Sequence, residues 1–137
     1  MGITLKILEV RKVEDVERAF QLAQEWRAQA LNVLASPLLN GFRHAIIPLA
    51  AKHRLPAIYQ WDGSVRDGGL MAYGPTLLGL YQAMFVQLDK VLKGAKVAEL
   101  PVLQPTEVKL VLGVRAAKTL GFRFPPSLLI RADQVIE

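Results

Sequence analysis

Side chains able to meet a ligand gather at three points of the sequence, each at or just after an apolar run. The first is Ala35-Ser36-Pro37-Leu38-Leu39-Asn40, where Ser36 and Asn40 can hydrogen-bond a polar group and the helix that follows can turn its free N–H groups towards a carboxylate. Plain helix capping accounts for these residues about as well. The second is Ile58-Tyr59-Gln60-Trp61, an aromatic ring, an amide and a second ring. Rings facing a cleft stack on a planar ligand and give large contact area at low entropic cost. Covering a sheet edge is the stronger reading for Trp61, ligand contact the stronger for Tyr59. The third is Gly68-Gly69-Leu70-Met71-Ala72-Tyr73-Gly74, whose glycines permit close backbone approach and whose Met71 and Tyr73 share one face of a strand. Met71 in a strand buried on both faces is more often core, so Tyr73 at the strand end is the better contact. The ligand-binding candidates are therefore Ser36, Asn40, Tyr59, Gln60, Gly69, Met71 and Tyr73.

Catalysis finds much less support, and no catalytic, metal or cofactor set emerges. Gly68-Gly69 with Gly74 lacks the GxGxxG spacing of a dinucleotide site and the lysine of a phosphate-binding loop. His44 and His53 on one helix would point about half a turn apart, so that helix cannot aim both at one metal. Glu14 and Asp15 fall at a helix start, where the dipole favours negative charge, and this explains them better than acid-base chemistry.

The elements that would hold these residues alternate between strand and helix. Ile3 to Val10 alternates like a strand, and Val13, Val16, Phe20 and Ala23 follow at helical spacing, predicting a helix near Val13 to Gln29. Leu31 to Ala35 predicts a strand, Leu39 to Arg54 a helix, Pro56 to Tyr59 a third strand and Gly69 to Tyr73 a fourth, after a short polar helix or turn. Such alternation implies an α/β fold with a mainly parallel sheet and right-handed crossovers. From Pro75 to Gly94 a wide apolar stripe predicts the longest helix. Val108 to Leu112 predicts a returning strand, Val114 to Leu120 a short helix stopped by Gly121, and Pro125-Pro126 the start of a last helical segment reaching Ile136.

Composition agrees with a packed domain. Of the 137 residues, 52% are hydrophobic and 21% charged, which excludes a disordered chain. A net charge of +5 is spread from Lys6 to Arg131 without interleaved aromatics, so no nucleic-acid partner is expected. Zero cysteines exclude disulfides and thiolate chemistry. The opening residues lack the pattern of an export signal, and Gln82, Gln87 and Asp89 interrupt the longest apolar stretch well short of the roughly 20 residues a spanning helix needs.

An ordered series of motifs resembles one known family. Leu55-Pro56-Ala57-Ile58-Tyr59, Gly68 to Pro75, Leu92-Lys93-Gly94-Ala95-Lys96 and Leu100-Pro101-Val102 are similar to successive landmarks of the ABC-transporter substrate-binding family that includes tryptophan- and tyrosine-binding members. The ending, Ala117 to Gly121, Pro125 to Leu129 and Arg131 to Glu137, resembles that family's C-terminus. Ser36 stands where members often carry an aspartate able to pair with a ligand ammonium.

The resemblance implies the type 1 periplasmic-binding-protein fold, with two α/β lobes and the ligand held between them. It implies a solute-binding component of an ABC importer that captures a small organic solute, such as an amino acid, and meets permease subunits in the periplasm or as an extracytoplasmic lipoprotein. The chain corresponds to the second lobe in residues 1–74 and to a crossover helix, returning strand and C-terminal helices in residues 75–137, with most of the first lobe and half the cleft lacking. Met1 then reads as a boundary. On this view Leu77, Tyr81, Met84, Phe85 and Leu88 normally meet the other lobe, and without it they are expected to pair two copies as a homo-oligomer. The alternative is a stand-alone structural or regulatory α/β module that oligomerises, with no part in transport.

Overall fold

The computed structural model describes residues 2–105 and 107–137, so Met1 lies outside the described residues. Helix α1 (Glu14–Glu25) buries Val16, Phe20 and Ala23, the stripe its sequence spacing predicts. Its entry is held by Asp15, whose carboxylate accepts the backbone N–H groups of Arg11 at 3.0 Å and Lys12 at 3.1 Å. The Arg11 bond foremost holds the Asp15 carboxyl below its usual range.

Strand β1 (Leu31–Asn32) leads through α2 (Pro37–Gly41) and α3 (Arg43–Lys52) to β2 (Ala57–Tyr59). The single helix expected over Leu39 to Arg54 is thus two, parted at Phe42. Pro48 sits inside α3, and His53, which ends it, stacks on Phe20 with ring centroids 5.6 Å apart. Helix α4 (Asp62–Arg66) joins β2 to β3 (Met71–Pro75). Strands β1, β2 and β3 are mutually parallel, with Leu31 opposite Ala57 and Ile58 opposite Met71.

After β3 the chain makes an excursion. Thr76 caps α5 (Leu77–Leu92), its hydroxyl accepting the Gly79 N–H at 3.1 Å, and a 3-10 turn at Val97–Glu99 follows. The chain returns as β4 (Val108–Gly113), antiparallel to β3, with Pro75 opposite Val108 and Met71 opposite Leu112. Helix α6 (Val114–Leu120) stops at Gly121, whose φ of 69° is the left-handed conformation a glycine stop requires. Helix α7 (Pro126–Arg131) and strand β5 (Gln134–Ile136) complete the chain, with β5 parallel to β4. The sheet runs β1-β2-β3-β4-β5, an α/β architecture in which all pairings but one are parallel.

Two expectations need correction. The segment from Ile3 to Val10 is not a strand: Ile3, Leu5 and Ile7 are 73%, 84% and 84% exposed, and only Leu8 and Val10 reach the core. Alternation shows which face a strand would bury, but a strand is made by pairing, and this segment does not pair with the open outer side of β1. The end of the chain departs in the other direction, because the helix expected to reach Ile136 closes at Arg131 and a strand takes over.

The core has two parts. One joins α1, α3, β2 and α4 through Phe20, Ile46, Ile47, Tyr59 and Val65; the other gathers Leu70, Leu112, Ala117 and Phe124. Leu112 and Val111 of β4 are the largest fully buried side chains among the described residues. Helix α5 contributes no buried residue to either part.

Candidate functional site

In a parallel α/β sheet, the exit ends of the strands are where connecting loops and helix starts leave backbone and side-chain polar groups free to meet a ligand. The exit ends of β1 and β2 here border a shallow dimple of about 10 Å³, room for roughly one water molecule. Asn40, Arg43, Gln60, Trp61 and Ser64 line it together with Tyr59. Ser36 adjoins it in sequence as the residue before α2, in extended conformation, and its side chain makes no capping hydrogen bond. Capping therefore does not use up the Ser36 hydroxyl. Helix α2 is only five residues long, so its dipole offers less to a carboxylate than the longer helix the sequence predicts.

Arg43 is the polar residue that sequence reasoning missed. Its Nε donates to Asp67 Oδ2 at 2.7 Å and its Nη1 to the Asn40 carbonyl at 3.1 Å, so the guanidinium is fixed at the dimple's edge. No local signal marks it, because the aspartate that orients it is 24 positions away. His44 Nε2 stands 3.8 Å from the same carboxylate. Trp61 is half-buried, and its indole Nε1 is a buried donor without a partner.

The remaining sequence candidates separate. Tyr73, near the exit end of β3, is 58% exposed, with its ring available. Tyr59 is 3% exposed, its hydroxyl has no partner, and burial raises its pKa well above the usual tyrosine value. The Tyr59 ring lies against Gly69, where an added Cβ would come within 2.8 Å of it and 2.7 Å of the Ser64 carbonyl oxygen. Gly69 is thus a glycine because β3 enters the sheet hard against that ring. Met71 packs beside Leu112 in the second part of the core.

Gly69 and Tyr59 also border a larger hollow of about 430 Å³ at the entry ends of β2 and β3, walled by α3, α4 and α6. Backbone groups around it are already bonded to one another, Gly69 N–H to Ser64 and Gly113 N–H to Leu70, both at 2.8 Å. The hollow is also lined by Arg66, Asp67, Arg115 and Glu137, whereas the exit ends hold the unpartnered Trp61 indole N–H and the Ser36 hydroxyl that makes no cap.

The sequence profile of the family described as ABC transporter substrate binding protein matches residues 1–136. The chain belongs to that family. Its fold is shared with the ABC domain from Streptococcus pneumoniae in complex with L-Trp, at 24% identity and a TM-score of 0.83 over 93% of this chain and 43% of that one. A conserved domain protein from Vibrio cholerae O1 biovar El Tor is similar at 23% identity and a TM-score of 0.78, over 90% and 42%. A ligand-free, open substrate-binding protein with adhesive properties from Clostridium difficile gives 19% and 0.61, over 93% and 42%. At these identities the likeness concerns the fold, and the chain spans less than half the length of the structures it matches. No curated protein sequence matches it. No helix among the described residues is long and apolar enough to cross a membrane.

Proposed function

We propose that this chain forms one wall of the cleft of a solute-binding protein serving an ABC importer. The observation that carries the reading is the grouping of Asn40, Arg43 and Gln60 at the exit ends of β1 and β2, with Ser36 just before α2 and the Tyr73 ring exposed on β3, in a chain of this family. Tyr59, Gly69 and Met71 act from behind, setting the height and spacing of the strands that carry the contacts. The cargo is a small organic solute, with aromatic or branched-chain amino acids the leading class; the complex with L-Trp in a protein of the same fold supports this choice. The protein works by capture and delivery to permease subunits outside the cytoplasmic membrane, without chemical turnover.

A second wall supplies the other half of the contact surface, as cleft closure between lobes normally does. Calorimetry against an amino-acid panel is expected to give at most millimolar binding by this chain and clear binding by a longer form that carries a first lobe. Tight, specific binding by the chain alone, or none by the longer form, would overturn the proposal.

The exposed apolar face of α5 supports a second proposal, self-association of this chain through Leu77, Tyr81, Met84, Phe85 and Leu88, each 40–60% exposed. Both readings accommodate this pairing; the stand-alone module differs in binding no solute.

A further inference from the structure

We infer that this wall recognises the carboxylate end of its solute and takes no part in holding an amine, so acids lacking an amino group bind it as well as the corresponding amino acids. The inference rests on the solute-wall reading above and narrows it to a chemical class.

Its basis is the inventory of donors and acceptors around the dimple. Arg43 is a permanent cation held from behind by Asp67 and from the side by the Asn40 carbonyl, which leaves its second terminal nitrogen without a partner among the described residues. With Nε and Nη1 engaged, Nη2 is held in place to donate a charge-assisted hydrogen bond to a carboxylate oxygen. The unspent hydroxyl of Ser36 and the amides of Asn40 and Gln60 add donors at or beside the same end, and the indole Nε1 of Trp61 is a further donor just beneath.

Anionic acceptors are missing from the lining. The two carboxylates nearest in the fold both have cationic partners: Asp67 holds Arg43 at 2.7 Å, and Asp62, next to Trp61, meets Arg66 Nε at 3.3 Å. A solute ammonium here would face a guanidinium with no free carboxylate to offset it, whereas a solute carboxylate would complete the arginine's hydrogen bonds.

The chain has two tryptophans, so ¹⁵N labelling of the indole nitrogens gives one signal at the dimple, Trp61, and one control, Trp26. Titration of the chain with 3-phenylpropionate, L-phenylalanine and phenethylamine at millimolar concentrations separates acid, zwitterion and amine. The expected result is that the first two move the Trp61 signal with dissociation constants within about threefold of each other, while phenethylamine leaves it in place. Arg43→Gln should weaken 3-phenylpropionate at least tenfold, and Arg43→Lys, which keeps the charge but loses the guanidinium that Asp67 and Asn40 orient, should fall between; if the Gln variant does not fold, the Lys variant still reports. Movement by phenethylamine with silence from 3-phenylpropionate would overturn the inference and leave the solute wall standing. Silence towards all three would overturn it too, and the calorimetry of the longer form would then decide the wall separately. Acid binding that is unchanged in Arg43→Lys and Arg43→Gln would remove the arginine from the account and refute it.

Discussion

Replacing Met84 and Leu88 together by lysine tests whether α5 is the surface through which two copies meet. The two residues lie one helical turn apart on the exposed stripe, at 52% and 47% exposure. Burying such a side chain fully is worth about 1.5–3 kcal/mol, and with roughly half of each still open to solvent, about 1 kcal/mol per residue remains to be gained on pairing. In a symmetric pair each substitution counts twice, so the double variant forfeits about 4 kcal/mol, roughly a thousandfold in the dissociation constant. Lysine is a good helix former, so α5 itself should persist. Sedimentation velocity over a hundredfold concentration range should show dimer for the wild-type chain and monomer for the variant, with unchanged circular dichroism. A wild-type chain that stays monomeric throughout, or a variant with the same oligomeric state, would refute the reasoning.

Three further outcomes follow from the packing and the chemistry of single residues. Leu112→Ala, at a fully buried position of β4, which has a strand on either side, should lower stability by about 2–5 kcal/mol in guanidinium unfolding, because the flanking sheet backbone limits collapse of the cavity. Gly74→Ala would bring a Cβ against the Gln60 carbonyl and to 2.8 Å from the Gln60 side-chain nitrogen. It should cost about 1–3 kcal/mol and shift the Trp61 indole signal, since β3 and the Gln60 loop must separate. Tyr59 releases its proton near pH 10 when unfolded but later when folded, because burial disfavours the phenolate. The stabilisation is whole below about pH 10 and declines as pH rises past it, so thermal melts above about pH 10 should fall more steeply for the wild type than for Tyr59→Phe.

The sequence discloses what local spacing decides. Val16, Phe20 and Ala23 mark the buried face of α1, and Gly121 marks the stop of α6, because both effects act within a turn or two of the chain. Strand pairing acts at longer range. Gln134-Val135-Ile136 is too short for its β-branched pair to declare a strand, and it becomes one where β4 offers an edge opposite Val111, Leu112 and Gly113. Ile3 to Val10 has the signature but pairs with no strand, although the outer side of β1 is open. The candidate site divides in the same way. Ser36, Asn40 and Gln60 are legible as polar residues ending apolar runs, whereas Arg43 gains its meaning from Asp67, and the burial of Tyr59 is set by Gly69 closing over its ring. A strand end can be read from sequence; which of its side chains look outward depends on the neighbouring strand.

The antiparallel pairing of β3 with β4 gives the chain an unusual modularity. Because Pro75 lies opposite Val108, the excursion through α5 departs from the sheet and rejoins it at one point, as an overlong hairpin loop would. Loop-closure entropy grows slowly, by about 0.6 kcal/mol per doubling of length, so the sheet is nearly indifferent to how much chain the excursion contains. A tight two-residue turn could stand in its place, giving a minimal scaffold without the exposed apolar face of α5 and with the exit ends of β1 and β2 intact. The surface proposed for association and the wall proposed for solute are then separable parts, open to being exchanged or tuned one at a time.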